Sequence, residues 1–183
     1  AFMLSQGSDL KFGNHFHNPV QFDLARKYKI PAMLVLREPK AACLSHMLTM
    51  GWTDPSEALS RYIAFHRDLP SNPAVFVIAP FEEVISDFGK SIARLNEHFS
   101  SDFKIFDHTD ENVERVRAGI ADMRQKRIEH FGQEYHGELG FTLPSEAKKA
   151  QSQKLSGAFD MAEVQPLLDQ ARAEHQRLMA RLP

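Results

Sequence analysis

The chain contains few of the residues that cross-link or anchor a protein. Among its 183 residues there is one cysteine, Cys43, so an internal disulfide is excluded, and no cysteine–histidine run has the spacing of a zinc site. No stretch approaches the roughly 20 apolar residues that are needed to cross a bilayer, and no basic-then-apolar signal segment opens the chain. From these absences we expect a protein without a membrane span, located in the cytoplasm.

An excess of charge of one sign is also missing. The formal net charge is −2, and the chain is 43% apolar and 25% charged, which is an ordinary globular composition. General binders of nucleic acid or of membrane surfaces need a basic face, so the balanced charge argues against both functions. A local basic pocket is still compatible with this composition. The length fits one domain, which we expect to extend over residues 1–183.

The first residues are unusual for the start of a protein. The chain opens on Ala-Phe-Met-Leu-Ser, which is apolar and has no initiator methionine. This pattern is typical of a sequence that begins part-way through a structural element. We therefore expect further residues upstream in the full protein.

Two short apolar runs predict strands that are buried on both faces. They extend over Pro31 to Leu36 (P-A-M-L-V-L) and Ala74 to Ala79 (A-V-F-V-I-A). A looser alternation over Leu10 to Phe16 indicates a third, shorter strand. Because helical patterns separate and follow these runs, the sequence predicts an α/β fold with a short parallel sheet, flanking helices and a helical C-terminal part.

Helices are predicted where apolar residues recur at helical spacing. Gly132 to Gly157 is polar and contains glycines, so we expect a loop there with little regular structure. Helices are expected over Val20 to Tyr28, Ala41 to Met50, Asp54 (as N-cap) to about Leu69, Phe81 to Phe99, Thr109 to about His130, and Glu163 to Leu182.

An arginine follows the first predicted strand directly. Arg37 opens the run Arg-Glu-Pro-Lys, and Ser45 stands eight residues beyond it. Ligands of parallel sheets bind at the carboxyl ends of the strands, where a guanidinium can hold a phosphate at two points. Ser45, in the following helix, could turn its hydroxyl toward the same anion. The spacing fits equally well an arginine that covers the sheet edge and a serine that faces solvent.

The segment from Leu34 to His46, L-V-L-R-E-P-K-A-A-C-L-S-H, resembles the 3′-phosphate-binding segment of the sulfotransferases. In that family an apolar strand is followed by Arg-x-Pro-(Lys), with a serine eight residues after the arginine. The resemblance implies that Arg37 and Ser45 bind the 3′-phosphate of the sulfuryl donor, 3′-phosphoadenosine-5′-phosphosulfate. It also implies a three-layer sandwich of the P-loop NTPase type. The activity would be metal-free transfer of the sulfuryl group to a hydroxyl or amine of a small-molecule or carbohydrate acceptor.

A second segment of the same resemblance contains two histidines. His15-Phe16-His17-Asn18-Pro19 is similar to the family's Lys-x-His-x-Pro segment, which implies that His17 is the catalytic base and that His15 stands where many members have lysine. An imidazole with a pKa of about 6.5 can accept a proton from an acceptor hydroxyl at neutral pH. Two ordinary structural histidines, or two metal ligands, are the alternatives. Because no third candidate ligand stands at a sequence spacing typical of metal sites, no metal site is predicted.

A third segment, V-F-V-I-A-P-F-E-E-V-I-S-D from Val75 to Asp87, resembles the family's strand followed by an aromatic residue and two acids. Phe81 stands where many members have tyrosine. Glu82 and Glu83 are expected in the first turn of a helix, where acids favour the helix dipole and have a structural role.

Two family segments are not found in these residues. The turn that binds the phosphosulfate group, Pro-(Lys/Arg)-Ser-Gly-Thr-like, is absent, and we expect it before Ala1. The Lys-Gly-x-x-Gly-Asp segment is absent too, with residues 154–157 as a faint substitute. Two other functions therefore stay open: a P-loop nucleotide kinase or NTPase, whose G-x-x-x-x-G-K-[ST] signature does not occur here, and a nucleotide- or protein-binding domain without catalysis.

Overall fold

A computed structural model describes residues 18–131 and 146–182 of the chain. No helix in these two ranges is both long enough and apolar enough to cross a membrane. Short 3₁₀ turns occur at Pro73–Val75 and Gly157–Asp160. In chain order the elements are α1 (Val20–Lys27), β1 (Met33–Leu36), α2 (Pro39–Met50), α3 (Pro55–Arg67), β2 (Val77–Pro80), α4 (Phe81–Ser86), α5 (Phe88–Phe99), α6 (Asp110–Phe131), α7 (Glu146–Ser156) and α8 (Gln165–Met179).

The two strands pair in parallel to form a small sheet. Met33 lies opposite Val77, and the register runs to Leu36 opposite Pro80. Parallel strands need a crossover connection, and α2 and α3 provide it. The predicted α/β class with a short parallel sheet is thereby confirmed at the level of a mostly helical fold with two parallel strands. The third predicted strand, Leu10 to Phe16, lies outside the described residues.

Each crossover helix begins at a proline that follows a capping acid. Glu38 precedes Pro39, and its carboxylate accepts a hydrogen bond from the Ala41 N–H at 2.9 Å. Asp54 precedes Pro55 and accepts from the Ser56 N–H at 2.8 Å, as the sequence predicts. These acids satisfy N–H groups that have no partner within the helix, and proline at the first position has no N–H to satisfy.

The buried side chains form two clusters. One lies on the sheet face and includes Leu36 of β1, Ile78 of β2 and Leu178 of α8. The other lies among the helices, where α2 and α3 pack with α8, and it includes Met47 and Leu59. Because α8 contributes to both clusters, it fixes the crossover helices against the sheet.

The helix that the sequence predicts over Phe81 to Phe99 is two helices, so this prediction was wrong. The break is at Asp87, where the backbone is extended with φ −157° and ψ 74°. The Phe88 N–H that begins the second helix donates to Nδ1 of His108 at 3.2 Å. The break is not visible in the hydrophobic pattern, because Ile92 stays buried at the expected spacing.

Part of the predicted loop Gly132 to Gly157 is helical, which corrects that prediction. Residues 132–145 lie outside the described residues, but Glu146–Ser156 forms α7, which packs on α2. The residues of α7 are mostly alanine, lysine, glutamine and glutamate, which are strong helix formers. The polar composition indicated a loop, whereas helix propensity and packing on α2 produce a helix.

Candidate functional site

The carboxyl edge of the sheet brings Arg37 and Phe81 together. Leu36 lies opposite Pro80 at the last paired position, so the next residue of each chain segment emerges at the same edge. The guanidinium carbon of Arg37 lies 4.2 Å from the centre of the Phe81 ring. This is a cation–π contact, in which the guanidinium lies over the face of the aromatic ring.

The guanidinium of Arg37 has no acceptor within the described parts of the chain. Its side chain is half-buried, yet no carboxylate lies within ion-pair distance and no oxygen accepts a hydrogen bond from it in residues 18–131 and 146–182. Removing polar donors from water is unfavourable unless they are paired. A half-buried cation without an anionic partner among the described residues is suited to binding one from solution.

The backbone of Arg37 is held by a tyrosine from α3. The hydroxyl of Tyr62 donates to the carbonyl oxygen of Arg37 at 3.0 Å. Tyr62 is buried, and burial is the main cause of its raised pKa, with smaller contributions from Cys43 and Glu38. The phenol therefore stays protonated and remains a donor at neutral pH.

His66 lies one helical turn beyond Tyr62 and packs against it. The two rings are 3.9 Å apart between centroids, and Nδ1 of His66 lies 2.7 Å from the carbonyl oxygen of Tyr62. Burial lowers the pKa of His66 to about 4, so the imidazole is neutral at neutral pH. In that state Nδ1–H can donate to the carbonyl oxygen of Tyr62. His66 therefore helps to hold Tyr62 in place and adds no positive charge to the site.

Ser45 lies on α2 and forms no hydrogen bond with Arg37 in the described residues. Its side chain is exposed, and its carbonyl oxygen accepts a hydrogen bond from Oγ1 of Thr49 at 3.0 Å. It follows the start of the helix at Pro39 by six residues, or about 9 Å along the helix axis. The structure thus places Arg37 and Ser45 on one strand–helix unit, with no hydrogen bond between them in the described residues.

Lys40 forms an ion pair with another residue of the fold, Asp160. Its Nζ lies 3.0 Å from Oδ1 of Asp160 and 5.7 Å from the centre of the Phe159 ring. This lysine stands inside the segment that carries the sulfotransferase resemblance. Its contacts join the start of α2 to the turn that precedes α8, so its charge is already matched by an acid.

The pKa of a histidine on α8, His175, responds to two acids near this edge. Glu38 follows Arg37 and Glu82 follows Phe81. Burial lowers the pKa of the half-buried His175, while the carboxylates of Glu38 and Glu82 oppose that effect. Sequence reasoning missed His175, because a lone histidine in an amphipathic helix gives no signal of what it packs against.

Glu83 and Arg94 form an ion pair with two hydrogen bonds next to the site. Nη1 and Nη2 of Arg94 donate to the two carboxylate oxygens of Glu83 at 3.0 and 2.8 Å, and Nη1 also donates to the carbonyl oxygen of Ile78 at 2.8 Å. The Ser91 hydroxyl donates to the same carboxylate. The hydrogen bonds from Arg94 are the main cause of the lowered pKa of Glu83. These contacts give Glu83 the structural role that its place in the first helical turn predicts.

A depression of about 530 Å³ lies between the start of α5 and residues 105–108, and neither Arg37 nor Phe81 lines it. Its lining includes Asp87, Lys90 and His108. Asp87 and Lys90 form an ion pair at 3.4 Å, and His108 accepts a hydrogen bond from the Phe88 N–H. Because these polar side chains are matched to each other, we place the candidate site at Arg37 and not in this depression.

The other predicted site residues, His15 and His17, lie outside the described residues. Within residues 18–131 and 146–182 no group of three or more His, Cys, Asp or Glu side chains is arranged to hold a metal ion. The thiol of Cys43 is buried, and burial raises its pKa to about 12, so it is not a thiolate nucleophile at neutral pH.

Comparisons with protein-family models, with characterised proteins and with solved structures found no match for this chain. The inference of function therefore depends on the residues of the sheet edge, with Arg37 as its centre.

Proposed function

We propose that the chain is a sulfotransferase that uses 3′-phosphoadenosine-5′-phosphosulfate as donor and holds its 3′-phosphate with Arg37. The observation that supports this function best is the state of Arg37, a half-buried guanidinium that stacks on Phe81 and has no acceptor in the described residues. On this proposal the two parallel strands belong to a three-layer sandwich of the P-loop NTPase type. The resemblance of Leu34 to His46 to the family segment supports the same function.

Arg37 and Ser45 would bind the donor from two sides. A guanidinium offers two parallel N–H groups that match two phosphate oxygens, and partial burial strengthens these charge-assisted hydrogen bonds. The cation–π contact with Phe81 would hold the guanidinium in place. No hydrogen bond joins Ser45 and Arg37 in the described residues, so the phosphate itself would join them, with the Ser45 hydroxyl donating from α2.

His17 would act as base in the transfer step. It would accept the proton of an acceptor hydroxyl or amine while the acceptor atom forms a bond to sulfur. The bond between sulfur and the bridging oxygen of the donor would break, and the electron pair would leave with adenosine 3′,5′-bisphosphate. Such a step depends on positioning and on charge stabilisation. His15 would stand close to the departing phosphate.

Thermal melting of the full chain with adenosine 3′,5′-bisphosphate tests the proposal. A ligand present at a hundredfold excess over its Kd stabilises the folded state by about 2.7 kcal/mol, which for a chain of this size raises Tm by roughly 5–10 °C. Arg37→Ala should remove this shift. Arg61→Ala is the matched control, because Arg61 is exposed and paired with Glu57. No shift in the wild-type chain, or an equal shift in Arg37→Ala, would contradict the proposal.

A nucleotide-binding domain without transferase activity is the second candidate. The described residues include Arg37, which would bind the phosphate, but no catalytic base that forms a hydrogen bond with it. Binding of the bisphosphate without transfer of labelled sulfuryl from the full donor to any acceptor would favour this candidate. A P-loop nucleotide kinase would differ from both, because its activity would depend on magnesium.

A further inference from the structure

We propose that Tyr62 is a positioning residue for Arg37 and that its hydroxyl sets the phosphate affinity of the site without touching the ligand. This inference rests on the proposed function, since it concerns the same phosphate site. Tyr62 comes from α3, 25 residues beyond Arg37 in the chain, and its hydroxyl reaches the carbonyl oxygen of Arg37.

The hydroxyl acts where the chain changes from strand to helix. On the N-terminal side of Arg37, pairing with β2 fixes Leu36 opposite Pro80. On the C-terminal side, Glu38 caps α2 through the Ala41 N–H. The peptide between Arg37 and Glu38 lies between these two constraints, and Tyr62 provides a donor to its carbonyl. Because the direction of the Arg37 side chain follows from the orientation of its backbone, the Tyr62 hydroxyl helps to aim the guanidinium.

The end of the Arg37 side chain is held separately by Phe81, whose ring centre lies 4.2 Å from the guanidinium carbon. A free arginine side chain loses much rotamer entropy when it is ordered. Arg37 is already ordered at both ends, by Tyr62 at its backbone and by Phe81 at its head. Preorganisation of this kind raises affinity because less ordering remains to be done on binding.

Tyr62 is itself supported by the packing of α3 and α8. His66 stacks on its ring and contacts its carbonyl oxygen, and Nη2 of Arg177 donates to the carbonyl oxygen of His66 at 2.8 Å. Removal of the hydroxyl alone leaves the ring and its packing on His66 in place. Tyr62→Phe is therefore a change at one hydrogen bond, and it isolates the contact to Arg37.

Calorimetric titration of the full chain with adenosine 3′,5′-bisphosphate tests this inference. We expect Tyr62→Phe to raise Kd by about tenfold, which corresponds to about 1.4 kcal/mol. Ser101→Ala is the matched control, because it removes one half-buried hydroxyl hydrogen bond, to Asn96, far from Arg37 in the chain. It should leave Kd within about twofold, even if it lowers Tm as much as Tyr62→Phe does. In an Arg37→Ala background, Tyr62→Phe should have no further effect on residual binding.

The outcomes separate this inference from the proposed function. If the wild-type chain does not bind the bisphosphate, the proposed function fails and this inference with it. If Arg37→Ala loses binding while Tyr62→Phe keeps the wild-type Kd, or weakens it no more than Ser101→Ala does, the role of Tyr62 is refuted and the phosphate site stands.

A second measurement does not depend on the folding of the Tyr62 variant. In the ligand-free wild-type chain, the Nε–H order parameter of Arg37 from NMR relaxation should be close to that of Arg94, which is held by Glu83. Exposed Arg67 should give a clearly lower value. An Arg37 side chain as mobile as that of Arg67 would overturn the proposal.

Discussion

Two half-buried arginines lie beside the same small sheet, and the fold treats them differently. Arg94 of α5 donates to both carboxylate oxygens of Glu83 and to the carbonyl oxygen of Ile78 in β2. Arg37, directly after β1, stacks on Phe81 and has no carboxylate within ion-pair distance in the described residues. The comparison shows that the partner which the fold supplies, and not the residue type or its burial, separates a structural arginine from one that is available to a ligand.

The largest expected effect is the loss of stability in Arg94→Ala. Its side chain is 22% exposed and that of Glu83 is 19% exposed, so the pair is shielded from solvent. Removing one partner leaves a shielded carboxylate without its cation, and we expect a loss of about 3 kcal/mol in the free energy of unfolding. Urea denaturation measures it.

Arg37→Ala completes this comparison, because no acid in the described residues is paired with Arg37. The free energy of unfolding of Arg37→Ala should be less than about 1 kcal/mol below that of the wild-type chain. Equal losses for the two variants would show that Arg37 is also structural and would break the comparison.

The next largest loss of stability is expected for Gly89→Ala, at the contact between α5 and residues 105–108. A Cβ at Gly89 would lie 2.5 Å from the carbonyl oxygen of Phe106, which is backbone and cannot move aside easily. We expect a loss of about 2 kcal/mol in unfolding free energy. Gly157→Ala is the control, since no atom lies within 4 Å of its Cβ position, and it should be close to neutral. A neutral Gly89→Ala would show that residues 105–108 are not packed tightly on α5.

The free energy of unfolding measured against pH tests whether His66, which packs against Tyr62, is buried in its neutral form. Burial lowers the pKa of His66 from its ordinary 6.5 to about 4, so the unfolded chain binds a proton at a higher pH than the folded chain does. Stability from this group should be complete above about pH 6.5 and should fall as the pH drops toward 4, with a loss of about 2 kcal/mol between pH 7 and pH 5.

His66→Gln should flatten this part of the profile of unfolding free energy against pH. His98→Gln, at an exposed histidine of α5, is the control and should leave the profile unchanged. A profile of His66→Gln that matches the wild type would show that another group causes the pH dependence.

The smallest expected effect distinguishes the two acids that follow Phe81. Glu82 is exposed and acts on His175, whereas Glu83 is held by Arg94. Glu82→Gln removes a negative charge near the proposed phosphate site, and we expect bisphosphate affinity to rise by about twofold at low salt, with stability unchanged. Glu83→Gln should instead lower stability. Calorimetry and urea denaturation check the two results, and a reversed pattern would contradict the roles assigned to these acids.

The parts of the fold that follow from local patterns could be predicted from the sequence. The apolar runs before Arg37 and Phe81 are short and flanked by prolines. β1 lies within the first run, whereas β2 begins three residues into the second and ends one residue beyond it, because Pro73–Val75 forms a 3₁₀ turn. The acid–proline pair at Asp54 gives the start of α3, because capping is decided within a few residues. The position of Arg37 at the sheet edge was predictable in the same way, because it directly follows a parallel strand. Its role in binding a phosphate stays a prediction.

What could not be predicted depends on contacts between distant parts of the chain. The break at Asp87 occurs beside residues 106–108, and the periodic pattern continues through it. Tyr62 reaches Arg37 from another helix, and only the packing of α3 shows this contact. Ser45 is found on the predicted helix without a hydrogen bond to Arg37 in the described residues, and the roles of Ser45, His15 and His17 stay predictions.

The most direct test of the central claim is a comparison of two nucleotides on the full chain. Calorimetry would measure Kd for adenosine 3′,5′-bisphosphate and for adenosine 5′-monophosphate, with the wild-type chain and with Arg37→Ala. If Arg37 holds the 3′-phosphate, the wild-type chain prefers the bisphosphate by at least about tenfold, and Arg37→Ala binds both nucleotides equally. An Arg37→Ala chain that keeps the wild-type preference would contradict the account, because the 3′-phosphate would then be bound by other residues.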